Sequence, residues 1–534
     1  MRKVYVGIDF GSTNTVCTFC RHQNIEILEW DNRKLLLPSV VCYENENCMV
    51  NPPMTTVGQR KYSITNCKRL LGVPFTENIA NSGNLLFNAK VIKSPDGYGC
   101  CLQMELANKR IICKTPVEVA AAVMKHILNR LYTRGIIGSV EDIESVVIGF
   151  PASYDYRQRQ ATIEAAKKAG FPQVLLISEP VAAALAYCSE HQLADNYIIV
   201  YDFGGGTFDT SLLHCSNKRY EVICTQGSSC LGSSDLLEAL VEYVVDYCAK
   251  YYDLEVDISK CLPQRKYYQD FRSDCEMARI SLSSTEVVTI NLKNLFKLAT
   301  NVPKDACEEF TLTRLEYEQL IRPYIDKTFV CIDKLLKEAN EICGVTEDKI
   351  SLVVLVGGTT RTPYIQKRVY ERFCGHTVQD INPEECVARG ACIYCMKQNQ
   401  VDISDQALGS ISISDHASFS YGIAVQGGRV CRLISKGDMI PVVKSNTFTT
   451  TEDNQQYIST AVYIGEGMQI SDCRFLHELK FGPIEQRPKG VPKISITYKI
   501  DLATMLTVIC EEKTDSASIK LVGKVEVKVG SSVC

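Results

Sequence analysis

Residues 4–19 read VYVGIDFGSTNTVCTF, and residues 199–213 read IVYDFGGGTFDTSLL. Each stretch is an apolar run, then Asp-Phe-Gly, then glycine or small hydroxyl residues, then a second strand-like run. One pattern written twice, so far apart, predicts two similar lobes that each present one glycine-rich turn. A P-loop or dinucleotide loop leads from its strand into a helix and holds phosphate at the helix N-terminus. Here the residues after the glycines alternate like strands, and no Gly-Lys-Ser/Thr appears. Each loop is therefore expected at a hairpin tip, where successive backbone N–H groups make an anion nest. The first tip is Gly11, Ser12, Thr13 and Asn14, and the second is Gly204, Gly205, Gly206 and Thr207. The hydroxyls of Ser12, Thr13 and Thr207 add donors. Asp9 and Asp202, which open the two loops, would repel phosphate unless a cation lies between them. Mg²⁺, held largely through its waters by carboxylates and phosphate oxygens, resolves that conflict. Two such tips face to face would clamp one polyphosphate. A lone Asp-x-Gly-x-Gly is usually only a tight turn; two copies and a third glycine strand-end, LVGGTTRTP at 355–363, argue otherwise.

The chain around these motifs is 534 residues long, 46% apolar and 22% charged, enough for more than one core. Its net charge of −4 is dispersed, without the basic stripe that nucleic acid requires. No stretch approaches the ~18–20 apolar residues of a membrane helix, and the N-terminus lacks a signal-peptide pattern, so the expectation is a cytoplasmic protein with no nucleic-acid or membrane partner. The 26 cysteines are then reduced thiols, many serving as small buried hydrophobes. Two Cys-x-x-Cys pairs, Cys17/Cys20 and Cys392/Cys395, lack a second pair or His at zinc spacing and read as core. In a strand, the first pair would face opposite sides.

Along residues 1–398 strand patterns alternate with helical ones, with helices expected over 116–132 and 154–170 and a buried strand opening 351–360. Residues 399–418 are polar and Ser-rich and read as a linker. From 419 to 525 apolar and polar residues alternate between Gly, Pro and Asp-Asn turns, the pattern of an antiparallel all-β domain; 526–534 is a short tail. No long helical pattern follows 525.

At this point the residues carry a resemblance. IDFGSTNT (8–15), VYDFGGGTFDTSLL (200–213) and VVLVGGTTRTPYIQK (353–367) resemble the three signatures of the 70-kDa heat-shock (DnaK-type) chaperone family. ISEPVAAALAY (177–187), NPEECVARGA (382–391) and TFTTTEDNQ (447–455) are similar to further stretches of it, in order along nearly the whole chain. The resemblance implies an actin-like ATPase domain with duplicated ribonuclease H-like lobes, a linker, and a β-sandwich that binds extended apolar peptide. It implies ATP/ADP and Mg²⁺ as cofactors, unfolded polypeptides as clients in protein folding and the stress response, and J-domain co-chaperones and nucleotide-exchange factors as partners. Lys68, in NCKRLLG, resembles the family's catalytic lysine, and Glu179, Asp9, Asp202 and Asp209 resemble the carboxylates that order Mg²⁺ and the attacking water. Gly357, Gly358, Thr359 and Arg361 resemble the adenosine-side loop, with Glu276, Arg279 and Ser283 from CEMARISLSS. Pro151 and Arg159 match the proline switch and relay arginine, and Asp415 belongs with the coupling linker. The peptide pocket maps onto Ile423, Phe448, Ile458 and Thr460, with Gln426 on the arch above it.

The departures are specific. Ile280 stands where the family usually has a second basic residue beside adenine. The linker keeps only Ile411 and Ile413 of an apolar run. Thr460 and Gln426 are more polar than usual, and the helical lid is expected to be missing. Two other readings stay open on sequence alone: a structural or assembly homologue, viral or cytoskeletal in type, and, disfavoured by the C-terminal β pattern, a small-molecule kinase on the actin-like fold.

Overall fold

The computed structural model describes the chain except residues 1–2, 22–23, 45–46, 52–61, 81–86, 88, 107, 192–195, 217–218, 229–230, 257–265, 379–380, 400, 402–411, 418, 501–505, 514–518 and 527–534. Most of the stretch read as a linker and nearly all of the tail lie outside the described residues. The chain divides into two compact units. The first gathers 1–153, 161–218 and 224–411, and the second 154–160, 219–223 and 412–534.

Two sheets dominate the first unit. One is built from β1 (Val4–Phe10), β2 (Asn14–Arg21), β3 (Asn24–Ile27), β4 (Ile143–Phe150) and β5 (Val174–Ser178), in the order β5-β4-β1-β2-β3. The other contains β6 (Asn196–Phe203), β7 (Phe208–Ser216), β8 (Arg219–Ser228), β9 (Ile350–Val356) and β10 (Thr377–Val378), in the order β10-β9-β6-β7-β8. Strand for strand the two orders correspond. In each, the motif strand pairs antiparallel with its hairpin partner and parallel with a strand arriving from far along the chain. The doubled motif is thus one topology used twice.

The helices follow their local signals. Helix α1 (Pro116–Thr133) starts on a Thr115/Glu118 capping box with proline at its first position. Next come α2 (Tyr156–Ala169) and α3 (Glu179–Glu190), the latter opening on Glu179-Pro180. Then follow α4 (Ser233–Tyr252), α5 (Lys266–Ser281), α6 (Arg314–Cys343) and α7 (Cys386–Gln398). Because β2 is covered on both faces, Cys17 and Cys20 are both buried, whichever side each faces. Cys392 of α7 packs with Cys20 and Met396 in one small apolar cluster, so the paired cysteines serve as core. Among the described residues no group of three or more His, Cys, Asp or Glu side chains is placed to hold a metal ion directly.

The second unit is antiparallel β. After β11 (Ser412–His416) come β12 (Tyr421–Val425), β13 (Arg429–Ile434), β14 (Met439–Ile440), β15 (Val442–Phe448), β16 (Ile458–Ile464), β17 (Arg474–Phe481), β18 (Lys493–Ile500), β19 (Leu506–Lys513) and β20 (Ile519–Glu526). All but β11 and β14, which pair with each other, form two four-stranded sheets, β13-β12-β16-β17 and β15-β18-β19-β20, that share one core. Tyr421, Ile434, Val462 and Leu479 enter it from one sheet and Ile494, Ile496, Tyr498 and Val508 from the other. The period-two pattern places these residues inward. Within the stretch read as linker, Ser412–His416 is a strand, with Asp415 and His416 opposite Ile440 and Met439. Its Ser-Ile-Ser alternation suits an extended backbone as well as a loop.

Candidate functional site

A cavity of about 350 Å³ in the first unit gathers residues from both halves of the repeat. Both hairpin tips line it, Gly11 to Asn14 between β1 and β2, and Gly204 to Thr207 between β6 and β7. The tips touch. A Cβ on Gly205 would overlap Thr13 Oγ1, and one on Gly206 would lie 2.8 Å from Ser12 Oγ. Only glycine lets these two backbones approach so closely. The second tip is fixed from behind, since Gly204 O accepts from Ser233 N (3.0 Å) and from Thr359 Oγ1 (2.9 Å). Gly205 O accepts from Ser234 Oγ at 2.9 Å.

The carboxylates cluster on the strand ends. Asp9 and Asp202 line the cavity with Glu179 from the start of α3 and Lys68 from a single 3-10 turn, Cys67–Leu70. Lys68 Nζ donates to Glu179 Oε1 at 2.7 Å, and both residues are 6% exposed. Asp209 does not line the cavity; it sits buried behind it on β7, in register with Asp202 on β6. Burial and the neighbouring Glu179 push the Asp9 carboxyl up to about 7, against the opposing pull of Lys68. Burial, with the charges of Glu179, Asp209 and Asp9, holds Asp202 well above the ordinary carboxylate range. Asp209 is also pushed up to about 7, mainly by burial; hydrogen bonds from Ser153 oppose this, and Glu179 adds to it. Four acidic side chains and one ammonium leave this spot short of positive charge.

The far wall carries the remaining residues. Glu276 and Arg279 from α5 and Ser283 just beyond it line the cavity, with Gly357, Gly358, Thr359 and Arg361 from the loop after β9. Arg279 donates to Glu276 through Nε and Nη2, both at 2.8 Å, a bidentate pair that fixes its plane. Ile280 lines the same wall and is 56% exposed. Arg361 donates to Glu384 Oε2 at 3.2 Å and to Asn382 Oδ1 at 2.9 Å. Sequence reasoning missed Ser233 and Glu384 in the lining and Ser234 behind it. The Gly-Ser-Ser-Asp run at 232–235 is a helix-start signal that could have drawn attention to the first and last of these.

The remaining candidates are dispersed. Pro151 is buried at the end of β4, and Arg159 is buried on α2, its Nε donating to Tyr154 O at 2.9 Å. Ile423 is buried in the core of the second unit, and Phe448 and Ile458 are partly buried against it. Thr460 shares the inner face of β16, and its Oγ1 is buried without a hydrogen-bond partner. Gln426 lies exposed in the turn after β12, apart from that core.

A family model described as Hsp70 protein matches residues 5–529, nearly the whole chain, and the chain belongs to the Hsp70 family. Members of this family are ATP-dependent chaperones that use Mg²⁺ with ATP or ADP. Among the described residues no helix is long and apolar enough to cross a membrane.

Proposed function

We propose that this chain binds and hydrolyses ATP in the cavity between its two hairpin tips and uses the cycle to hold and release extended apolar segments of unfolded proteins in the cytosol. The observation that carries the reading is the convergence of both glycine tips on one cavity with the buried Lys68–Glu179 pair. The tips offer backbone N–H groups and the hydroxyls of Ser12, Thr13 and Thr207 to the phosphates. Glu276, Arg279 and Ser283 face the adenosine, together with Gly358, Thr359 and Arg361. The carboxylate cluster fits Mg²⁺ held through its waters, because Asp9, Asp202 and Glu179 line the same cavity as the two glycine tips with Lys68 as their near cation. Asp9 and Asp202 would hold it through waters, and when bound it neutralises phosphate charge. Lys68 is set to stabilise charge on the transferring phosphoryl group, while Glu179 and Thr207 orient the attacking water and Asp209, buried behind the cavity, acts through its neighbour Asp202. Such a reaction rests on positioning and electrostatics.

In the second unit, Ile423, Phe448, Ile458 and Thr460 would form the client pocket, with main-chain hydrogen bonds holding the peptide extended. Pro151, Arg159 and Asp415 would relay nucleotide state to it, and J-domain proteins and exchange factors would act on the cycle. The test is single-turnover hydrolysis by the full chain and by Lys68→Ala, each with and without an extended Leu-rich peptide. ATP binding should survive the substitution, while hydrolysis should fall by several kcal/mol of barrier, about tenfold per 1.4 kcal/mol. Near-normal hydrolysis in the variant would remove Lys68 from the chemistry.

A further inference from the structure

Behind the second glycine tip lies an ion pair that the proposed chemistry does not use. Arg69 follows Lys68 in the 3-10 turn, and its side chain is 7% exposed. Its Nη2 donates to Asp235 Oδ2 at 3.1 Å, across 166 residues of sequence. Asp235 sits in the first turn of α4, and the same Oδ2 accepts from Gly232 N at 2.7 Å. Gly232 is packed against the second tip, where a Cβ would lie 2.5 Å from Gly205 O and from Gly206 N. Arg69 Nε is buried, without a hydrogen-bond partner, and 2.5 Å from where a Cβ on Gly206 would stand. That same Cβ position is 2.8 Å from Ser12 Oγ of the first tip. At Gly206, then, three segments from different parts of the first unit meet: the first tip, the second tip and the turn that carries Lys68.

We propose that Arg69 and Asp235 form a brace that holds the two tips together and sets how fast nucleotide leaves the cavity. The proposal rests on the ATP-site reading above. Neither residue lines the cavity, so the brace acts on the tips rather than on nucleotide. Nucleotide caught between two tips escapes only when they part, and parting them pulls Arg69 away from α4. Separating the pair is costly chiefly on the Arg69 side, whose guanidinium is almost wholly buried, whereas Asp235 is 24% exposed and is partly compensated by water. The brace therefore favours a closed arrangement over an open one, with few intermediate positions. Its guanidinium also lies next in sequence to the proposed catalytic ammonium, so the element that holds the tips together also fixes the turn presenting Lys68.

The experiment is stopped-flow release of a fluorescent ADP from the full chain with Mg²⁺, compared among wild type, Arg69→Met, Arg69→Lys, Asp235→Asn and the Arg69→Met/Asp235→Asn double variant. Each of Arg69→Met and Asp235→Asn should speed release at least about tenfold. The double variant should be no faster than the faster single one, since both remove the same contact. Arg69→Lys, which keeps a charge but loses the guanidinium geometry, should fall between wild type and Arg69→Met. Asp235→Asn keeps an acceptor for Gly232 N, so the nucleotide-free protein should melt within a few degrees of wild type while release accelerates; a purely structural role would move both together. Wild-type release rates in both single variants, or accelerations that multiply in the double variant, overturn the brace. Should the wild type bind no ADP at all, the ATP-site reading falls and the brace with it. If Arg69→Met does not fold, the comparison of Asp235→Asn with wild type still decides.

Discussion

At the scale of single residues, the carboxylate cluster makes a prediction about pH. Asp9 and Asp209 are each pushed up to about 7, and Asp202 lies well above its ordinary value, with burial the first cause in every case. In the unfolded chain these groups ionise near 4. Between about pH 4 and 7 the folded protein therefore binds more protons than the unfolded chain, and its stability falls as pH rises through that window. The stabilising protons are fully in place below the unfolded value and are lost by the folded one. Without Mg²⁺ or nucleotide, the melting temperature of the first unit should decline from pH 5 to pH 8. Saturating Mg²⁺ with ADP should flatten the decline, because a bound cation takes over the protons' role. Calorimetry across that range checks both halves, and a metal-free melting temperature that rises with pH would contradict the charge balance described here. Arg279 stands on the opposite wall in another condition: its bidentate bond to Glu276 holds it firmly protonated, which keeps one fixed positive charge there at every working pH.

At the scale of elements, the hairpin tips allow a comparison between adjacent glycines. A Cβ on Gly205 would overlap Thr13, whereas one on Gly204 meets nothing closer than Thr207 O at 3.7 Å, an ordinary contact. Gly205→Ala should thus force the tips apart and weaken ADP binding by tenfold or more, at about 1.4 kcal/mol per tenfold. Gly204→Ala should stay within a fewfold of wild type. Titration calorimetry on the two variants decides; equal losses would mean that the tips do not meet. These hairpins were legible in the sequence because all of their information is local: strand, Asp-Phe-Gly, strand. The expected helices at 116–132 and 154–170 appear as Pro116–Thr133 and Tyr156–Ala169 for the same reason, with caps and stops close to the periodic residues. What sequence could not supply was partnership at a distance. Nothing in the sequence near Arg69 points to Asp235, nor do the residues of β9 announce that they will lie beside β6 in register with Asp202. Cys17 and Cys20, read as core, are both buried, because β2 is covered on both faces.

At the scale of the whole molecule, the longest segment of the second unit begins at Ser412, inside the stretch that sequence reads as a linker. An apolar connecting segment gains roughly 1.5–3 kcal/mol for each side chain it buries. Serine at 410, 412 and 414 contributes little of that, so client peptide should stimulate ATP hydrolysis only weakly, and Ser412→Leu with Ser414→Leu should strengthen the response. Steady-state turnover with and without peptide in the two proteins is the measurement, and equal stimulation would show that the serines are not limiting. The cysteines have a different use at this scale. Among the described residues Cys48, Cys113, Cys307, Cys343 and Cys374 are exposed, and most of the others are buried. Burial pushes many of the inner thiols above their ordinary range, as at Cys395 and Cys510, each at about 12, and a thiol that stays protonated reacts slowly. A native molecule offered an alkylating reagent will take up label quickly at a few surface positions and then stall. Later uptake is timed by the opening of whichever strand or helix shelters the next sulfur, so each peptide's labelling half-time becomes a clock for its own part of the fold. Because inner thiols are spread over β2, β7, α4, α5, α7 and β19, both units carry such clocks without any probe being added.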